Sequence, residues 1–200
     1  MSAPARARRY DAESLLAVAV DVFTDRGYEG TSMEHLAVAA GITKSSFYHH
    51  VQGKEELLRL SLDRALDGLF AVLDSPAART GPAIARLEHV LRGSVHALVE
   101  RLPHVTLLLR VRGNTEVQRQ ALARRREFDA AVTSLVRAAQ RAGDLRPGPD
   151  PALAARLLFG MINSVSEWYD PRRGLDPAAL ADAVVALALD GLRNRPATAD

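Results

Sequence analysis

Apolar positions recur at three- and four-residue steps along most of the chain, the period of an α-helix, and alternating strand-like runs are lacking. Residues 11–26 predict a first helix with Leu15, Val18, Ala19, Val22 and Phe23 on one stripe, stopped by Gly27. A second helix starts after Thr31 or Ser32, carries Met33, Leu36, Ala37 and Ala40, and stops at Gly41. A short third helix starts at Thr43, and a fourth runs from Gly53–Lys54 to about Asp74. Pro76 to Pro82 reads as a linker-like break. Pro82 suits the first turn of a helix reaching to about Leu102, and Pro103 opens a short helical piece ended by Gly113–Asn114. A long helix covers about 115–142. Asp150–Pro151 and Asp176–Pro177 each supply an N-cap and a first-turn proline, so the last two helices run to about Tyr169 and Arg193. The expectation is an all-α fold of about nine helices, with no internal repeat.

The stretch GITKSSFYHH, residues 41–50, sits between the second and third helices with the spacing of a helix-turn-helix. Gly41 permits the positive φ of a tight turn, Ile42 plugs the interhelical angle, and Thr43 caps the next helix. Phe47 and Val51, four residues apart, should face the core with Leu36 and Ala40. Lys44, Ser45, Ser46, Tyr48, His49 and His50 cover the rest with short donors, a cation and a phenol, which suit phosphates and base edges in a major groove. A metal site fits less well, because adjacent histidines point about 100° apart on a helix. A solvated helix with two incidental histidines leaves the joint spacing of glycine, plug, cap and core aromatic unexplained.

Charge narrows the picture. The net charge is +2, so no general affinity for polyanions follows. Residues 1–60 hold seven Lys/Arg and eight Asp/Glu, so DNA binding needs a locally basic face. Arg6, Arg8 and Arg9 in the tail 1–10 could track phosphates or enter a minor groove, or serve solubility alone. The absence of cysteine removes disulfides, thiolate metal sites and a cysteine nucleophile. No apolar run approaches a bilayer span, and the N-terminus lacks a secretory apolar region, so a soluble cytoplasmic chain is expected.

Residues 23–58, FTDRGYEGTSMEHLAVAAGITKSSFYHHVQGKEELL, resemble the DNA-binding signature of the TetR family of transcriptional regulators. The resemblance implies a helix-turn-helix DNA-binding domain over 1–55 and a helical ligand-binding and dimerisation domain over 56–200. It implies phosphate contacts from Thr31, Ser32, Thr43, Tyr48, His50 and Lys54, and positions near base edges for Lys44, Ser45, Ser46 and His49. Gly53 stands where the commonest family form has serine.

The last two helices are apolar over more than one face and must be covered, by a second copy or by their own domain. The family implies a homodimer through them, on a double-stranded palindromic operator. Candidate effector residues are His96, Arg110, Phe159, Asn163, Trp168 and Tyr169, with His104, Arg112 and Glu167 as further polar or charged positions. The C-terminal SEWYDPRRGLDPAALADAVVALALDGL is similar to TetR-type repressors that sense coenzyme A thioesters. The N-terminal half is similar to repressors of phenylacetic acid catabolism, which answer to phenylacetyl-CoA. Arginines such as Arg110, Arg112 or Arg124–Arg126 would then meet phosphates, although the arginine run also suits a solvated helix face. Alternatives are a regulator of efflux sensing a hydrophobic molecule and a ligand-independent DNA binder. No motif of a hydrolase, phosphate-binding loop or di-iron bundle is present, so neither an enzyme nor a cofactor or metal is expected.

Overall fold

A computed structural model describes residues 11–192; the tail with Arg6, Arg8 and Arg9, and residues 193–200, lie outside the described residues. The helices are α1 Ala12–Arg26, α2 Met33–Ala40, α3 Lys44–Tyr48, α4 Lys54–Asp74, α5 Pro76–Arg79 and α6 Ala83–Glu100. They continue as α7 Leu102–Arg110, α8 Glu116–Arg141, α9 Pro151–Trp168 and α10 Pro177–Asp190, with a 3-10 turn Pro171–Arg173 before the last. The fold is all-α, as expected from the periodicity, and among the described residues ten helices stand where about nine were expected. The difference is α5: Pro76 opens a single turn whose Ala78 is buried, so the supposed linker is packed structure. Pro82 is the N-cap of α6 rather than its first-turn residue. The last helix stops at Asp190, before the predicted end.

Caps fix the ends where the sequence placed them. Thr43, Asp150 and Asp176 each accept backbone N–H bonds from the following turn. Gly41 adopts φ 70° and ψ 29°, the left-handed turn that lets α2 hand over to α3. Phe47 and Val51 are buried with Leu36 and Ala40, together with Leu15, Leu16 and Phe23 of α1. Each large side chain taken fully from water contributes about 1.5–3 kcal/mol, so this small unit has a core of its own.

The long α4 joins the two halves. It packs on α1, α6, α7 and α8. Behind it, α6 lies among α4, α8, α9 and α10. The α4–α6 crossing is close because Gly93 has no side chain: a Cβ there would lie 2.5 Å from Cγ1 of Val72. No helix among the described residues is long and apolar enough to cross a membrane.

Candidate functional site

The α2–α3 corner presents the polar face expected from its spacing, with one change of shape. Helix α3 ends at Tyr48, and His49 and His50 form the turn after it, their amides bonded to the carbonyls of Ser46 and Phe47. The tightening lets Val51 turn inward. Thr43, Lys44, Ser45, Tyr48, His49 and His50 are exposed, and Ser46 is half-buried. Ser32 caps α2, accepting from the amide of His35 at 3.2 Å. Lys44 Nζ donates to Glu34 Oε1 at 2.7 Å; this bond holds the Glu34 carboxyl below its ordinary range and raises the Lys44 ammonium.

Two expected phosphate contacts are turned inward. Thr31 is 2% exposed, and its hydroxyl donates to the Gly27 carbonyl at 2.7 Å to close the α1–α2 turn. Lys54 donates to the carbonyls of Tyr28 at 3.0 Å and Thr31 at 2.8 Å, with its ammonium 4.4 Å from the Tyr28 ring centroid. These carbonyls and the ring satisfy the ammonium, which braces α4 against the α1–α2 corner. A groove of about 950 Å³ remains between Ser32, Tyr48, Gln52, Arg59 and the start of α4. Gly53 caps α4 without a side-chain hydrogen bond, and its φ of 165° is ordinary extended backbone. The first turn of α4 carries Glu55 and Glu56, and the Glu56 carboxylate accepts from the Gln52 amide at 2.6 Å, which suits the helix dipole there.

A second set of bonds ties the α7–α8 corner to this unit. Gln118 is 2% exposed. Its Oε1 accepts from the amides of Arg112, Gly113 and Asn114 at 3.3, 3.0 and 3.0 Å. Its Nε2 donates to Glu29 Oε1 at 3.3 Å, and Asn114 Nδ2 donates to the same oxygen at 2.9 Å. The Asn114 bond is the main cause that lowers the Glu29 carboxyl. Arg110, an expected effector residue, instead donates to the Thr24 carbonyl of α1 at 2.6 Å. Sequence reasoning missed Gln118, although Thr115-x-x-Gln118 is the pattern of a capping box. Thr115 does cap the helix, and the glutamine side chain reaches one residue further, into the loop.

Of the six expected effector residues, Phe159 and Asn163 line one groove. It lies between α8 and α9, has a volume of about 490 Å³, and is lined also by Leu122, Arg125, Arg126, Asp129, Ala155 and Arg156. Arg124 is absent from it: that guanidinium turns to α4, bonding Asp63 at 3.1 Å and Asp67 at 2.8 Å over the Phe70 ring. Neighbours on one helix thus divide, Arg124 to α4 and the other two to the groove. Desolvation raises the Asp129 carboxyl above its ordinary range, against the pull of Arg125 and Arg156. Beneath, Phe159 meets Phe128 edge-on at 5.1 Å, and Phe128 meets Phe70 of α4 at 6.1 Å. His96 and Arg112 are exposed, and His104 hydrogen-bonds the buried Ser61 at 2.9 Å. Tyr169 is buried, with its hydroxyl donating to the Leu175 carbonyl at 3.2 Å. Trp168 is 53% exposed and shares an α9 face with Leu153, Leu157, Gly160 and Ser164. On α10, Ala179, Ala183, Ala186 and Leu187 are exposed. Among the described residues no group of three or more histidines and acids is placed to hold a metal.

Known proteins resemble this chain in fold and, in part, in sequence. The model described as bacterial regulatory proteins, tetR family, matches residues 15–60, and that of the tetracyclin repressor-like C-terminal domain matches residues 80–192. A TetR-family member from Streptomyces coelicolor is 53% identical, with a TM-score of 0.85 over 97% of this chain and 94% of that one. The transcriptional repressor KstR2 of Rhodococcus jostii is 27% identical over 90% of each chain. The structure of AibR with isovaleryl coenzyme A and operator DNA is 28% identical, with a TM-score of 0.72 over 89% of this chain and 97% of that one.

Proposed function

The chain belongs to the TetR family of transcriptional regulators, and from that premise we propose that this ligand-responsive repressor holds a palindromic operator as a homodimer and is released by an acyl-CoA thioester such as phenylacetyl-CoA. The observation that carries the effector reading is the α8–α9 groove, where Arg125, Arg126 and Arg156 share one space with Leu122, Ala155 and Phe159. A thioester of coenzyme A needs both kinds of wall: guanidinium groups for phosphates and an apolar surface for the acyl part. Its volume of about 490 Å³ falls in the roughly 300–1,000 Å³ range of small-molecule sites. AibR, a relative of similar fold, has been seen with isovaleryl coenzyme A and operator DNA, which supports the same class of effector here.

Contacts to operator phosphates come from Ser32, Thr43, Tyr48 and His50, and Lys44, Ser45, Ser46 and His49 lie nearest the base edges. The exposed apolar faces of α9 and α10 join two copies, so that two α3 helices lie about 34–36 Å apart on one side of the duplex. Two packed routes lead from the groove to the operator unit. Phe159 acts through Phe128 and Phe70 on α4. Leu122 packs under Gly113, in the loop that Gln118 and Asn114 hold against Glu29. An effector that prefers a shifted α4 changes the spacing of the α3 helices and lowers operator affinity.

The test is a mobility shift on the intergenic DNA upstream of the protein's own gene, with and without phenylacetyl-CoA and a long-chain acyl-CoA. Release by either thioester, lost on replacing Arg125 and Arg156 by alanine, is expected. A complex that neither thioester disturbs would remove the thioester reading and leave the operator reading standing.

A further inference from the structure

The surface assigned to the operator has few unengaged cations. Within residues 11–60 the basic side chains are Arg26, Lys44, Lys54 and Arg59. Lys54 faces carbonyls inside the fold, and Arg59 lies 3.5 Å from Asp63. Lys44, one of the residues assigned to base edges, is held by Glu34 at 2.7 Å, with the two side chains 47% and 63% exposed.

The pair is built by two helix starts. Glu34 sits in the first turn of α2, where the helix dipole favours a carboxylate. Lys44 is the first residue of α3, where the same dipole disfavours an ammonium. Glu34 therefore offsets the unfavourable dipole at the Lys44 ammonium and fixes where that ammonium points. An exposed pair of this kind contributes little to stability, so its consequence lies at the interface. A free lysine binds any phosphate oxygen, whatever the sequence. A lysine carrying a carboxylate brings a negative charge toward the same phosphate. A base edge is different. A G·C pair shows guanine O6 and N7 acceptors beside the cytosine N4 donor in the major groove. A joined ammonium and carboxylate match that acceptor–donor pair.

We propose that Glu34 is a specificity-determining residue, which converts Lys44 from a general phosphate ligand into a reader of a G·C edge and weakens binding to non-operator DNA. The inference rests on the α2–α3 face meeting the duplex.

The test is Glu34→Gln, measured by salt titration on a mixed-sequence duplex and on the operator. Freed Lys44 then neutralises one more phosphate, so the slope of log K against log salt on mixed-sequence DNA steepens by about 0.9. At 0.1 M salt this corresponds to roughly five- to tenfold tighter non-operator binding. Operator affinity changes less, and the penalty for replacing the contacted G·C pair shrinks. Adding Lys44→Ala to the variant should abolish the gain. Glu127→Gln, an exposed α8 site with the same change of net charge, should leave the slope unaltered. An unchanged slope in Glu34→Gln, or a gain that survives Lys44→Ala, would overturn the proposal. Absence of duplex binding by the unaltered chain would sink the operator reading, and this inference with it.

Discussion

Gln118 offers the most direct test of how the two halves are joined. Replacing it with methionine keeps the length and volume of the side chain and removes its polar atoms. The amides of Arg112, Gly113 and Asn114 then lose their shared acceptor, and Glu29 loses one of two side-chain donors. A buried donor left unpaired costs about 1–3 kcal/mol. Arg112 and Asn114 are exposed, so water recovers part of the loss there, and the middle amide bears most of it. A total of about 2–4 kcal/mol follows, which for a chain of this size lowers Tm by roughly 4–15 °C. Thermal unfolding measures it. Gln118→Glu separates the two roles. It retains an acceptor for the loop amides but sets a second carboxylate beside Glu29, so its stability deficit should shrink as pH falls and one of the pair takes a proton. The reasoning fails if Gln118→Met melts within about 1 °C of the unaltered protein, or if the deficit of Gln118→Glu does not depend on pH.

The groove carries a pH dependence of its own. With the Asp129 carboxyl raised, its protonation on acidification removes a negative charge from the groove, so an anionic thioester binds more tightly as pH falls through that range. Asp129→Asn should show the tight binding at every pH in a calorimetric titration; a looser complex would count against phosphates at Arg125 and Arg156. Leu157→Glu, on the exposed α9 stripe at 64% exposure, should leave the fold intact and yield a monomer in sedimentation. Operator affinity then falls by about 10², as the second half-site is lost; a persistent dimer would place the interface elsewhere. Gly93→Ala should destabilise by about 1–3 kcal/mol in urea, because its Cβ meets Val72 at 2.5 Å, and Val72→Ala should restore much of the loss. A rise in stability, as helix propensity alone would give, would show that α4 and α6 separate freely.

Local rules account for what could be read from the chain. The periods around Leu15 and Phe23, the turn at Gly41, the plug at Ile42 and the caps at Thr43, Asp150 and Asp176 each depend on residues within a few positions of one another. The sequence therefore determined the helices, the burial of Phe47 and Val51, and the polar surface beside them. Long charged side chains obey no such short-range rule, because they reach across helices to whatever the crossing angle brings near. Lys54 looked like a phosphate ligand and folds back onto two carbonyls 26 and 23 residues away. Arg124, Arg125 and Arg126 are alike in sequence, yet the first faces α4 and the others the effector groove. Arg110 and Gln118 found partners in the operator unit 86 and 89 residues distant. Helix identity is fixed by hydrogen bonds four residues long; the choice of ionic and polar partners waits for the packing of α4, α6 and α8, which only the tertiary structure decides.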